Sequence, residues 1–277
     1  MPKIQYAAPL YIVREECRQD LFGVLRKLRS RGFEGIEFLG FFGHGAGEVR
    51  AAMDELGLKA LGNHVPLNEL EQDADDVFAF HREVGCEYLT VAGIAADEIV
   101  RNADVIAKRL WPLAKKAKGY GISLLFHNHD DELLAKKGES EALELLMEAT
   151  AATGSIALEP DLGWMEIGGG DCGHYLRKYA ARCPVIHLKD YYSSNNALLG
   201  RVREFVPARG TKERGEFEFR PTGYGVLNLP KLMPLCLACA PEWFVIDHDL
   251  AYERDPYEDL KKSLDYTKGL VALLQPS

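Results

Sequence analysis

Long apolar runs are missing from this 277-residue sequence. None is long enough to span a bilayer, and the start, Met-Pro-Lys-Ile-Gln-Tyr-Ala-Ala, holds no secretory hydrophobic core. A membrane partner is not expected. Cationic charge is in the minority, with 33 Lys and Arg against 42 Asp and Glu and a net charge of −9. A protein that grips a phosphate backbone needs the opposite balance, so a nucleic-acid partner is not expected either. Cysteine is sparse. The six that occur are scattered, without the spacing of a disulfide scaffold, which suits a reducing, cytoplasmic setting. Cys236 and Cys239 form a C-x-x-C with no second pair, which reads as structural rather than redox-active or zinc-binding. No Gly-x-Gly-x-x-Gly follows the first strand pattern, which argues against a dinucleotide-binding sheet.

What is present has the balance of a soluble globular chain, 47% hydrophobic and 27% charged. Strand and helix patterns alternate along its whole length. Short apolar runs predict strands over 5–9, 33–38, 58–64, 87–92, 122–126, 155–159, 184–188 and 243–246. Between them, Leu21, Val24, Leu25 and Leu28 keep helical spacing up to Gly32. Further helices are predicted over 47–56, 68–85, 97–118, 141–152, 173–180, 229–239 and 257–274. Pro112 is expected to kink or divide the helix that contains it. Eight strand–helix units without a composition break predict one parallel (β/α)8 TIM barrel as a single domain over 1–277.

In such a barrel the chemistry sits at the C-terminal ends of the strands. Those positions hold Glu37, His64, the cluster His127 to Glu132, Glu159, Asp161, His187, Lys189, Asp190, Asp247, His248 and Asp249. His127 and His129 are two apart and face one way on a regular strand. Each residue also has a bland explanation. Asp161 is well placed to cap a turn or helix. His187 and His64 suit packing, Lys189 a rim ion pair, and Trp164, Phe41 and Phe42 plain apolar contact. Histidines and carboxylates at nearly every strand end nevertheless form one converging set. Such mixed oxygen and imidazole donors suit a divalent ion: Mn²⁺, Zn²⁺, Co²⁺ or Mg²⁺.

The pattern resembles the xylose-isomerase-like barrels of the sugar phosphate isomerase/epimerase family, which include inosose dehydratases and ketose 3-epimerases. The resemblance covers nearly the whole chain. It rests on Gly35-Ile36-Glu37, Gly62-Asn63-His64, Phe126 to Glu132, Asp161-Leu162-Gly163-Trp164, His187-Leu188-Lys189-Asp190 and Gly223-Tyr224-Gly225. It implies a metal set of Glu, Asp, His and Glu from the last four strands. Asp161 and His187 match the middle pair. His127 stands where many members have the first Glu, with Glu132 five residues later, and Asp247 replaces the last Glu. The implied ligands are therefore Glu132, Asp161, His187 and Asp247. Glu132 or His129 is expected to move the proton, with Lys189 and His64 holding oxygens. Glu37, His127, Asn128, Trp164 and Asp190 are expected to contact substrate.

These residues lead to a metal-dependent isomerase or epimerase of a sugar, sugar phosphate or inosose, working through an enediolate beside a carbonyl. A dehydratase or β-eliminating lyase on a keto-sugar is the alternative outcome. The two ligand departures also motivate a non-catalytic sugar-binding barrel. An abasic-site endonuclease, also related, is disfavoured by the acidic balance. The partner expected is a small sugar or polyol, with homo-oligomerisation left open. The polar excursion 191–224 carries Arg201, Arg203, Arg209, Lys212 and Arg214. Its length suggests either a lid or a solvated surface loop.

Overall fold

A computed structural model describes residues 4–200, Val202 and residues 216–274. Eight short strands form the centre: β1 Gln5–Pro9, β2 Gly35–Phe38, β3 Lys59–Pro66, β4 Tyr88–Ala92, β5 Ser123–His127, β6 Ala157–Glu159, β7 Val185–His187 and β8 Trp243–Val245. They are parallel, in the order β6-β5-β4-β3-β2-β1-β8-β7. The ring closes where Asp161, just past β6, bridges to His187. The His187 N–H donates to the Pro160 carbonyl at 2.9 Å. The fold is thus the predicted TIM barrel, and its closing seam runs through two of the residues expected to carry chemistry.

The helices pack outside the strands because their apolar residues recur on one face. Helix Arg14–Ser30 buries Cys17, Leu21, Val24, Leu25 and Leu28. Helix Ala96–Gly119 buries Ile99, Ile106, Leu110 and Leu113. Inside the ring, Ala7, Leu61, Tyr88, Leu125, Val185, Trp243 and Val245 pack as a separate apolar plug beneath the strand ends. Gly35 makes room for the largest of these, since a Cβ there would lie 2.5 Å from the Trp243 ring. Gly35→Val should therefore cost about 1–3 kcal/mol through overpacking. The expected result is a lowered thermal midpoint; an unchanged midpoint would contradict this account of the plug.

Strand ends match the sequence expectations or shift by one or two residues. Other differences have clearer causes. Pro112 does not divide its helix, and the non-helical backbone falls at Asn102 instead. Pro112 lies on the exposed face, so the carbonyl it leaves unbonded can meet water. Two short helices, Asp131–Leu134 and Leu162–Ile167, are too brief to show periodicity. The segment after β7 is not structureless. Asp190–Ser193 and Phe217–Arg220 pair as an antiparallel hairpin, and Trp164, Ile167, Tyr191, Val202, Phe217 and Phe219 form a small apolar cluster. Arg201, Arg203, Arg209, Lys212 and Arg214 lie outside the described residues. The six cysteines are buried and free, Cys236 and Cys239 included. Among the described residues, no helix is long and apolar enough to cross a membrane.

Candidate active site and metal centre

A cavity of about 410 Å³ opens at the C-terminal ends of the strands. Pro9 enters from β1, Glu37 and Phe38 from β2, His64 from β3, Ala92 from β4, and His127 and His129 from β5. His187 ends β7 and Lys189 follows it, and Asp247 and Asp249 follow β8. The pairs two apart share a side because strand side chains alternate. Trp164, Phe219, Tyr11 and Leu250 complete the wall. Trp164 and Phe219 meet edge to face at 5.5 Å between ring centres.

Two donor clusters meet at His187. One comprises His127, Asp161, His187 and Asp247; the other Glu37, His64, Glu159 and His187. Within each, one ligand atom per residue lies within 4.8 Å of the rest. His187 Nδ1 is 2.9 Å from Asp247 Oδ2, and its Nε2 is 3.1 Å from Glu37 Oε1 and 3.3 Å from Glu159 Oε1. Asp161 divides its carboxylate between two tasks. Oδ1 accepts the Trp164 N–H at 2.9 Å and caps helix Leu162–Ile167. Oδ2 is buried without a hydrogen bond, 3.4 Å from His127 Nε2. Asn128 holds the Asp161 backbone from both sides, accepting its N–H at 3.0 Å and donating to its carbonyl at 3.2 Å. Lys189 Nζ lies 2.7 Å from Asp249, 3.0 Å from Asp247 and 3.2 Å from Asp161.

The charges follow from this packing. Burial works against the His187 imidazolium, but Glu37, Glu159 and Asp247 override it and raise its pKa well above the usual range. Burial would raise Glu37, yet His187 and His64 hold it well below the ordinary carboxylate value. Asp247 is likewise held low, by Lys189 and His187 against burial. Burial pushes Asp161 up to about 6 despite Lys189. Burial, reinforced by His187, His64 and Lys189, keeps His127 neutral. Against burial, Glu37 raises His64. Two imidazoles and two carboxylates, with Asp161 Oδ2 lacking a hydrogen bond and lying 3.2 Å from Lys189 Nζ and 3.4 Å from His127 Nε2, fit a divalent ion.

The expected site residues do not all arrive together. Glu132 lies outside both clusters, and its Oε2 accepts the His129 N–H at 2.7 Å. His127 stands in the first cluster, where Glu132 was expected. Asp190 does not line the cavity; its carboxylate accepts four backbone N–H groups, those of Tyr191, Gly223, Gly225 and Leu227. Asn128 supports Asp161 from behind. Glu37, His64, His127, His129, Trp164, His187, Lys189 and Asp247 all line the cavity. Sequence reasoning assigned no role to Glu159, whose Oε2 accepts the Thr90 hydroxyl at 2.7 Å, although its place at a strand end was visible. It also missed Phe219 and Tyr11. Phe219 is carried in by the unforeseen hairpin, and only the alternation Phe217-Glu218-Phe219 signals it.

The family model described as "Xylose isomerase-like TIM barrel" matches residues 25–268. A sugar phosphate isomerase/epimerase from Parabacteroides distasonis superposes with a TM-score of 0.73 at 18% identity, covering 95% of this chain and 93% of that one. The probable 3-DHS dehydratase AsbF from Bacillus anthracis gives 0.71 at 11% identity, covering 99% and 100%. The IolI protein, solved with a bound zinc atom, gives 0.71 at 14% identity, also covering 99% and 100%. No curated protein matches the chain.

Proposed function

The chain belongs to the xylose isomerase-like TIM barrel family, and from that premise we propose a divalent-metal-dependent isomerase or epimerase of a small polyhydroxylated carbonyl compound, a keto-sugar or inosose. The observation that carries this reading is the convergence of His127, Asp161, His187 and Asp247, with Asp161 buried behind a cavity that the other three line together with His64 and His129. Those four residues would hold the ion. A divalent ion there supplies Lewis-acid polarisation of a carbonyl oxygen, which makes the neighbouring C–H acidic. His64 is 23% exposed and faces the cavity, 3.5 Å from Glu37. With its pKa raised by Glu37, it serves as a proton donor to a substrate oxygen or carbon. His129, whose backbone N–H is held by Glu132 and whose side chain lines the cavity, is the candidate base. Asp247 and Asp249 accept substrate hydroxyls, and Trp164 and Phe219 exclude water from one face.

Dehydration or β-elimination is the second reading. It is favoured by the placement of Glu132, which leaves histidines rather than a pair of glutamates facing the cavity. An enolate formed by one base can then expel a β-hydroxyl protonated by the other group. The test is product analysis by NMR after incubation with ketohexoses and inososes, with each candidate ion loaded in turn. A rearranged or dehydrated product from one of them is expected. Tight sugar binding without any turnover would favour the non-catalytic barrel.

Ion uptake should also release protons. His187 carries its extra proton at neutral pH because its folded pKa is raised, and a ligating imidazole must give that proton up. Affinity for Mn²⁺ or Zn²⁺ should therefore rise with pH from 6 to 8. Titration calorimetry in buffers of different ionisation enthalpy should show about one proton released per ion. A pH-independent affinity without proton release would remove His187 from the ligand set.

A further inference from the structure

The proposed function uses one of the two donor clusters that meet at His187. The other, Glu37, His64, Glu159 and His187, reaches deeper. Glu159 ends β6 two residues before Asp161, which sets it about 6–7 Å further into the barrel. It is fully buried. Its Oε2 accepts the Thr90 hydroxyl, but its Oε1 makes no hydrogen bond and lies 3.3 Å from His187 Nε2. Glu37 Oε1 is 3.1 Å from the same nitrogen and 3.5 Å from His64 Nε2, which is 3.9 Å from Glu159 Oε2.

Three of these four separations exceed an ordinary N–H···O hydrogen bond. They suit a shared cation better. Bonds of about 2.0–2.2 Å to nitrogen and oxygen place neighbouring ligands of a tetrahedral ion about 3.3–3.6 Å apart. His187 also faces both ways, with Nε2 in this cluster and Nδ1 2.9 Å from Asp247 of the first.

We propose that Glu37, His64, Glu159 and His187 form a second, weaker divalent-ion site, bridged to the first through the His187 ring, and that an ion held there inhibits the enzyme. The site rests on this geometry; the inhibition rests on the role given to His64 above. Of the four residues His64 is the most exposed, so an ion entering from the cavity engages it and withdraws the proton donor from substrate. The second uptake is weaker because it must take the remaining ring proton of His187 and bring two dications close together.

The test titrates the ion-stripped full chain with Zn²⁺ in a calorimeter. Two saturable events are expected. Glu159→Gln should keep the tight event and weaken the second more than about 100-fold, since even a group that only supports a ligand is worth about 10–100-fold. His64→Gln, at a more exposed position, should lose the same event and keeps the test standing if Glu159→Gln does not fold. Carbethoxylation of His64 by diethyl pyrocarbonate, read by peptide mass spectrometry, should be blocked only at Zn²⁺ concentrations that fill the second site. A single event that survives Glu159→Gln, a second event indifferent to both substitutions, or a His64 still reactive at saturation overturns the inference. A missing tight event beside an intact Glu159-dependent one would instead sink the first site and leave this one.

Discussion

Exchanging Asp161 for asparagine should abolish most divalent-ion uptake and, with it, most of the turnover that the proposed function predicts. The substitution keeps the shape and leaves an oxygen to accept the Trp164 N–H, so the cap on helix Leu162–Ile167 survives. It removes the anionic Oδ2, the buried atom that no hydrogen bond satisfies. Even groups that merely support a ligand are worth about 10–100-fold in metal affinity, so loss of a direct ligand should exceed that, with a comparable fall in turnover. Asp171→Asn is the control. Asp171 accepts the His174 N–H in the same capping geometry but belongs to neither donor cluster. Metal content by mass spectrometry should drop in the first variant and hold in the second. Full occupancy in Asp161→Asn would exclude Asp161 as a ligand.

Lys189→Met should be the most destabilising single change at the site. Lys189 is 2% exposed, and its ammonium faces three carboxylates. Removing one partner of a buried ionic group costs about 3–5 kcal/mol because the other charges stay behind. The loss should depend on pH in a definite direction. Asp161 and Asp249 already sit at about 6, above the ordinary carboxylate value of about 4. Between those values the folded chain holds more protons than the unfolded one, so these two groups favour folding at low pH and lose that contribution as pH rises through about 6. Without the ammonium both should rise further. The deficit of the metal-free variant in urea unfolding should therefore shrink between pH 7 and pH 5. Adding Asp249→Asn, which removes one stranded charge, should recover part of it. A deficit that is absent, or that grows on acidification, would contradict the ionic account of Lys189.

The barrel was legible in the sequence because short apolar runs of strand length alternate with helices that bury one face. Leu21, Val24, Leu25 and Leu28 show this directly. The rim was legible for the same reason, as residues two apart at the ends of β5, β7 and β8 share a side. Who touches whom was not. Asp161 could be read as a cap or a ligand; the structure commits Oδ1 to the cap and leaves Oδ2 without a hydrogen bond, beside Lys189. Asp190 reads like a site residue beside His187 and Lys189, yet the N–H of Tyr191 and three more from the distant turn 223–227 claim it. Glu132 lies outside both clusters, and its carboxylate accepts the backbone N–H of His129 three residues back. Such choices depend on long-range placement, which periodicity does not carry.

The central claim is that this cavity labilises a C–H bond next to the carbonyl of a keto-sugar or inosose, and isomerisation, epimerisation and dehydration all share that step. The direct measurement is proton NMR of the ketose and inosose panel in D₂O with the ion-loaded chain. Loss of the signal from the hydrogen beside the carbonyl, abolished in Asp161→Asn, is the predicted result. A sugar that binds saturably while keeping that hydrogen indefinitely would contradict the account and leave the barrel a receptor.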